Sequence, residues 1–578
     1  MTLAPTPPPT VAWRTPFEND PAGNTTATYA ECLTYYQKLA AAYPNQLHLA
    51  AAGLTDAGLP LHEVVLSADG DADPASTRQK NRRILFIQNG IHPGEPEGID
   101  ASMMLARDLM QQKSLHKLLA GVTVVIVPVY NIDGMLNRNG TTRVNQNGPV
   151  AYGFRGNARH LDLNRDYIKQ ESRNARSFAQ LFQKWQPDVF VETHTSNGAD
   201  YQYTMTLIAT QHSKLAPALG TYLQGQLLPA LYKGMEQKKW PMVPYVNFEG
   251  QTPESGLRAF LETPRYSTGY AALFNTIGFM PETHMLKAFA PRVHSTYDFL
   301  KTVLETVGQQ SAALAAARAT AAVDMAAQTA FPLTWALDES QHVTVQFRGY
   351  KGRTKPSEVS GQPRLYYDRT APFTRPVAYF NTFKPTSTAR RPTAYIIPKA
   401  WAEVVDRLRG NGATLEPLTR AVTVPVETYY FEDFKTTPKP FEGHYVHSQV
   451  QLRTVTETVT YHEGDFVVYL TGGAPIRYLV ETLEPQATDS FFAWGFFDSV
   501  LQQKEHYSDY VFEDLAADLL RRDPALRQRL EKLKQDNPAF AANGEAQLEW
   551  VYLNSAHHEP GHNRYPVGRW LGTGRVGG

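Results

Sequence analysis

The stretch Arg82-Arg-Ile-Leu-Phe-Ile-Gln-Asn-Gly-Ile-His-Pro-Gly-Glu-Pro-Glu-Gly98 decides how the chain folds. Its apolar run, Ile84-Leu-Phe-Ile87, has the length and composition of a buried strand. Asn89 and Gly90 end the run, and Pro93-Gly94 makes a tight turn. Pro96 suits the first position of a helix, where its missing N–H costs nothing. Ile99, Met103, Ala106 and Met110 then recur at helical spacing. His92 and Glu95 therefore stand at the carboxyl end of a strand, just before a helix, where open α/β sheets place their ligands. A neutral imidazole and a carboxylate three residues apart on a stiff turn can share one Zn²⁺. Catalytic zinc commonly takes three protein ligands and leaves a fourth position for water. The competing reading is a surface turn, with Glu95 capping the helix. A third ligand elsewhere in the chain separates the two.

The bulk composition narrows the function classes. A chain of 578 residues has room for two or more domains. Its 42% hydrophobic and 19% charged content is that of an ordinary globular protein. The 56 basic and 56 acidic residues cancel, so nothing points to nucleic acid or an anionic membrane surface. The single cysteine, Cys32, excludes an internal disulfide and a Cys-rich metal site. No apolar run is long enough to span a bilayer. The Pro-rich amino terminus lacks the charged-then-apolar pattern of a signal peptide, which fits a cytoplasmic protein or a trimmed periplasmic or secreted one.

Taken in order, residues 1–25 read as a flexible leader. Thr28 and Glu31 have capping-box spacing at the start of a helix reaching Tyr43. Residues 62–67 and 122–129 read as strands, and Asp69 to Gln79 as a polar loop. Tyr130-Asn-Ile-Asp-Gly134 is a turn after the second of these strands. In Phe154-Arg-Gly-Asn-Ala-Arg-His-Leu-Asp-Leu-Asn-Arg-Asp166, an extended backbone puts Asp162 and Asn164 on one face. Arg165 beside them offers a planar fork suited to a carboxylate, and Asn164 a neutral donor.

After a helix over 171–185, Asp188-Val-Phe-Val-Glu-Thr-His194 is a further strand ending in histidine. His194 is the natural third ligand beside His92 and Glu95. Glu282, in Gly278-Phe-Met-Pro-Glu-Thr-His-Met-Leu286, is the candidate to take a proton from a metal-activated water, with Glu192 as its rival and His284 as a rival for some site role. An Ala-rich helix over 295–327 closes this part. Beyond it, alternating β-rich segments at 343–347, 422–430, 450–455 and 466–470 mark a change of texture. Residues 400–409 and 515–534 read as helices, the second broken at Pro524, and the tail as irregular. His557, His558 and His562 read as a solvated His-rich loop.

The ordered set between residues 92 and 282 resembles the zinc metallocarboxypeptidases of the carboxypeptidase A type, over roughly residues 25 to 310. His92-x-x-Glu95 resembles that family's first two zinc ligands, and His194 its third. Asp162-Leu-Asn164-Arg165 resembles the pair that holds the substrate's terminal carboxylate, and Glu282 the general base. Asn131-x-Asp133-Gly134 matches a further landmark. The family's oxyanion-stabilising arginine falls on Arg155, with Arg143 and Arg159 as alternatives. Its substrate-closing tyrosine falls on Tyr266, with Tyr270 competing.

The resemblance implies a mixed twisted α/β sheet flanked by helices, one Zn²⁺, and a peptide substrate with a free C-terminal carboxylate. The implied reaction removes the C-terminal residue. A related zinc amidohydrolase, acting on acyl-amino acids or cell-wall peptides, and an inactive binding protein are the alternatives. The expected organisation is a leader (1–25), a catalytic domain (26–327), and a β-rich accessory domain with a helical tail (328–578).

Overall fold

The computed structural model describes residues 13–577 except 197 and 249. The first part is built on a mixed sheet. Its strands in chain order are β1 (Leu47–Leu54), β2 (Pro60–Leu66), β3 (Arg83–Gln88), β4 (Val122–Val127), β5 (Val189–Glu192), β6 (His194–Ser196), β7 (Met205–Ala209) and β8 (Met242–Pro244). After the two-residue β9 (Leu257–Arg258), which lies in another sheet, β10 (Ile277–His284) completes the set. The spatial order is β1-β2-β4-β3-β5-β10-β7-β8, with β6 also on β10. β4, β3, β5 and β10 run parallel at its centre. β3 and β4 are buried at every position, as expected of parallel strands covered on both faces. The helices Glu97–Gln111, Arg173–Trp185 and Phe289–Gln309 supply the covering. Truncating Leu85 or Ile87 in this layer to alanine should cost about 2–5 kcal/mol.

Local signals account for most element ends. Thr28 caps the helix Tyr29–Ala42, and Glu31 returns its carboxylate to the Thr28 backbone N–H at 2.8 Å, completing the capping box. Pro96 occupies the cap of the helix Glu97–Gln111 rather than its first turn. Several expectations need correction. Residues 69–79 are not all loop, because Asp73 caps a short helix, Pro74–Gln79. The helix expected over 295–327 is two, Phe289–Gln309 and Ser311–Ala327, separated at Gln310. Asp162 to Asn164 is not extended, since Asp162 accepts the Asn164 N–H at 2.9 Å and starts a 3₁₀ turn. The tail carries the helix Gly544–Leu553 and a last strand. The first twelve residues of the expected leader lie outside the described residues, and Pro16–Asn19 is a short helix capped by Thr15.

The later strands are β11 (Ala330–Leu337), β12 (Val343–Pro356), β13 (Pro363–Phe380), β14 (Phe383–Arg390), β15 (Ala394–Ile397), β16 (Glu416–Pro417), β17 (Val422–Thr436), β18 (His447–Tyr461), β19 (Phe466–Tyr469) and β20 (Gly568–Trp570). Among the described residues none of them enters the central sheet. β13 pairs instead with β9, and six strands form a sheet in the order β16-β19-β15-β20-β17-β18. The two parts nevertheless share apolar packing. Phe274 stacks on Tyr478 at 5.5 Å, and both lie against the cluster that includes Phe182, Leu408 and Trp494. No helix among the described residues is long and apolar enough to cross a membrane.

Candidate metal centre

His92 leaves the end of β3 on a turn closed by the Glu95 N–H donating to the His92 carbonyl at 2.8 Å. Gly98, in the first turn of the following helix, lies against Thr193, the residue before His194. A Cβ at Gly98 would collide with the Thr193 hydroxyl, so glycine lets this helix approach the neighbouring strand. β6 in turn sets His194 directly beside Glu282 of β10. Three stretches of sequence far apart, carrying His92 with Glu95, His194 and Glu282, thus meet at neighbouring parallel strands.

His92 Nδ1 and His194 Nδ1 face each other at 3.2 Å. Glu95 lies 3.4 Å from the first through Oε1 and 3.0 Å from the second through Oε2. The outer nitrogens are committed elsewhere. His92 Nε2 donates to Asp162 Oδ1 at 2.9 Å, and His194 Nε2 to Glu192 Oε2 at 2.6 Å. An ionised carboxylate only accepts, so each ring carries its hydrogen on Nε2 and turns a lone pair inward. Two lone pairs and a carboxylate, with ligand atoms within 4.8 Å of one another, repel unless a cation or a proton joins them. Burial opposes a charged His194, but Glu192 and Glu95 outweigh it and hold its pKa well above the ordinary imidazole value. The donor set and the carboxylates behind both rings fit a zinc ion.

These groups line a cavity of about 430 Å³. Arg143 contacts Glu95 Oε1 at 2.9 Å. Arg155 places Nε and Nη2 on Asp162 Oδ2 at 2.9 and 2.8 Å, leaving Nη1 3.3 Å from His92 Nδ1. Burial opposes ionisation of Asp162, yet His92 and Arg155 hold its carboxyl far below the usual range. Arg165 donates to the Asn164 carbonyl at 2.8 Å, and its guanidinium sits over the Tyr266 ring at 4.5 Å. Burial, with Glu95 and Glu192 nearby, pushes the Glu282 carboxyl up to about 8 against the pull of His194.

The family described as zinc carboxypeptidase matches residues 32–233. The matched stretch contains His92, Glu95, Asn164, Arg165 and His194, whereas Tyr266 and Glu282 lie beyond it. Carboxypeptidase 2 of Trichophyton rubrum is 24% identical over 458 residues, spanning 74% of this chain and 76% of that protein. Carboxypeptidase 2 of Trichophyton tonsurans is 24% identical over 446 residues, spanning 71% and 73%. Both shares exceed what residues before 328 can supply, so the likeness continues into the carboxyl-terminal part. A solved metallo-carboxypeptidase from Burkholderia cenocepacia is 15% identical with a TM-score of 0.37, covering 50% of this chain and 70% of that one.

Every residue of the expected ligand and substrate set lines the one cavity: His92, Glu95, His194, Asn164, Arg165, Arg155, Tyr266 and Glu282. Among the alternatives, Arg143 also lines it, while Arg159 turns away to donate to the Glu171 carbonyl at 3.0 Å. Tyr270 is buried in the core with its hydroxyl on Asn411 at 2.6 Å. His284 is enclosed beside Asp200 and the Tyr201 ring. Glu192 backs His194 and does not line the cavity. His558 and His562 pair at 3.1 Å without a third metal-ligating partner among the described residues. Sequence reasoning missed Tyr245 and Glu262, both cavity residues. Glu262 carried no local signal, because its partner Thr268 reaches it only through the fold.

Proposed function

We propose that the protein is a carboxypeptidase that uses one zinc ion, held by His92, Glu95 and His194, to remove the last residue of a peptide with a free carboxyl terminus. The observation that carries this reading is the convergence of the His₂Glu cluster, Glu282 and the Asn164–Arg165 pair in one cavity. When bound, zinc supplies a positive charge that acidifies a water and polarises a carbonyl.

The protein's own groups do the rest. Arg165 and Asn164 bind the terminal carboxylate, so the last peptide bond is the one presented. Glu282 removes a proton from the attacking water and passes it to the leaving amine. Its raised pKa, set by burial and neighbouring carboxylates, makes it a stronger base than a solvated carboxylate. A cation bound nearby would favour its ionised form and lower that value. Arg155, whose Nη1 faces the ligand cluster 3.3 Å from His92 Nδ1, donates to the carbonyl oxygen as negative charge develops. Tyr266, stacked on Arg165, covers the bound terminus. The part from residue 328 is accessory, and among its described residues no group of metal ligands is assembled.

The deciding experiment compares a peptide with a free terminus and the same peptide amidated, with zinc and with a chelator. The amidated end lacks the charge that pairs with Arg165, so release should slow by about 30- to 1000-fold. Chelator should abolish release from both. Equal rates on the two peptides would reject the carboxypeptidase reading and point to an amidohydrolase.

A further inference from the structure

The Tyr266 side chain has few holds of its own. Its ring stacks on the Arg165 guanidinium at 4.5 Å and meets Phe260 edge-on at 5.5 Å. Its hydroxyl has no hydrogen-bond partner among the described residues. Neither ring contact ties Tyr266 to the central sheet, so its place over Arg165 is set by the backbone that carries it. That backbone is the turn Thr263 to Tyr266, closed by the Tyr266 N–H on the Thr263 carbonyl at 3.0 Å, just before the helix Ser267–Ala272.

The carboxyl-terminal part grips this turn. Asp489, beyond the helix Ile476–Leu483, is 2% exposed. Its Oδ2 accepts the Arg265 backbone N–H at 3.0 Å and the Thr263 hydroxyl. Its Oδ1 accepts Arg265 Nε–H at 2.8 Å and a hydrogen of Nη2. The same guanidinium lies over the Trp494 ring at 4.6 Å and the Phe441 ring at 5.4 Å, both from the carboxyl-terminal part. Arg265 is thus seated in a socket of one carboxylate and two aromatic faces. Burial opposes its charge, but Asp489 outweighs it and raises the guanidinium's pKa. Asp489 stands at φ 65°, a left-handed backbone that aspartate and asparagine tolerate better than most residues.

A buried ion pair by itself is weak evidence for stability. This one also fixes the backbone on both sides of Pro264, and so fixes where the next side chain goes. Tyr266 is extended at φ −99° and ψ 162°, which turns consecutive side chains to opposite sides. Arg265 points into the socket and Tyr266 into the cavity.

We propose that Asp489 is a positioning residue for the reaction: by anchoring Arg265 it holds Tyr266 over Arg165, so that both parts of the chain build the wall that covers the bound terminus. This rests on the carboxypeptidase reading, and the test separates the two.

Peptide release by the zinc-loaded full chain is measured, with kcat and KM resolved, for Asp489→Asn, Tyr266→Ala and the double variant. Asparagine suits the left-handed backbone and keeps a carbonyl oxygen for the turn, but offers Arg265 no charge. Asp489→Asn should raise KM by about 3- to 30-fold with kcat close to native and zinc retained. In the double variant the Asp489 effect should vanish, because the side chain it acts through is gone. Arg265→Lys keeps the charge, loses the fork and should raise KM similarly; thermal unfolding checks that each variant is folded. A second measurement needs no substrate. Nitration by tetranitromethane, mapped by mass, should reach Tyr266 about 3- to 10-fold faster in Asp489→Asn, while Tyr510, 84% exposed, reacts as in the native chain. Native KM in both Asp489→Asn and Arg265→Lys, or effects that simply add in the double variant, would overturn the positioning role and leave the carboxypeptidase reading intact. A native chain that releases no terminal residue would overturn that reading, and unchanged Tyr266 nitration would then overturn the positioning role as well.

Discussion

Glu442 accepts the backbone N–H of Asp162 through Oε2 at 2.9 Å, joining the turn between β17 and β18 to the loop that carries Asn164 and Arg165. Asp162 is the residue that orients His92 and anchors Arg155, so this bond reaches the reaction centre in one step. His444 on the same turn adds a contact to Glu171 at 2.7 Å. The carboxyl-terminal part therefore braces the site although it supplies no ligand. Glu442→Ala removes the acceptor and should raise KM by about 3- to 10-fold with zinc retained. Glu442→Gln keeps a carbonyl acceptor and should stay close to the native value. Kinetics with kcat and KM resolved, alongside metal analysis, check this; an unchanged KM in the alanine variant would exclude the bracing role.

The ligand cluster makes a second expectation direct. His92→Ala deletes one of three donors and should lose stoichiometric zinc. Asp162→Ala leaves the ligands in place but frees the His92 ring, and should weaken zinc by about 10- to 100-fold. Metal content after dialysis against a graded chelator series measures both. Full occupancy in His92→Ala would reject the site.

The sequence showed most clearly what is local. Ile84 to Met110 announced strand, turn and helix because apolar spacing and Pro/Gly chemistry act within a few residues. His92, Glu95 and His194 were legible for the same reason, each lying at or just beyond the end of a strand. The strand Leu47–Leu54 was not, since its central alanines carry little β preference. Asp162 looked extended because nothing in the sequence says that its carboxylate captures the Asn164 N–H. The roles of Glu192 and Glu262 depend on His194 and Thr268 reaching them in space. Choosing Arg155 over Arg159 needed a loop without periodicity to be placed in three dimensions.

Asp100 gives stability a pH dependence of predictable sign. It is fully buried, held by the Thr26 hydroxyl at 2.5 Å and the Ala27 N–H at 3.2 Å, and burial pushes its carboxyl up to about 7 from 3.8. A carboxyl with a raised folded-state pKa binds more protons folded than unfolded. Its contribution is therefore complete below pH 3.8 and is lost as pH rises to about 7. Relative to Asp100→Asn, the native protein should lose up to about 4 kcal/mol over that window. Denaturant unfolding of both proteins between pH 4 and 8 measures the difference. A gap that does not change with pH would show that Asp100 ionises normally.

Arg155 should fail as lysine because its fork performs two tasks at once. Nε and Nη2 grip Asp162 Oδ2, and this grip aims Nη1 at the ligand cluster, 3.3 Å from His92 Nδ1 and 3.6 Å from Glu95 Oε1. An ammonium is a single point donor, so a lysine bound to Asp162 has nothing left to present to the carbonyl oxygen. Because that oxygen gains charge only as the bond is attacked, the loss should fall on kcat more than on KM. Arg155→Lys should lower kcat by about 10²- to 10³-fold, the scale of one missing oxyanion donor. Arg165→Ala should behave oppositely, raising KM for free-ended peptides through loss of the terminal carboxylate's partner. Steady-state kinetics on one peptide separate the two arginines, and a native kcat in Arg155→Lys would transfer the oxyanion role to Arg143.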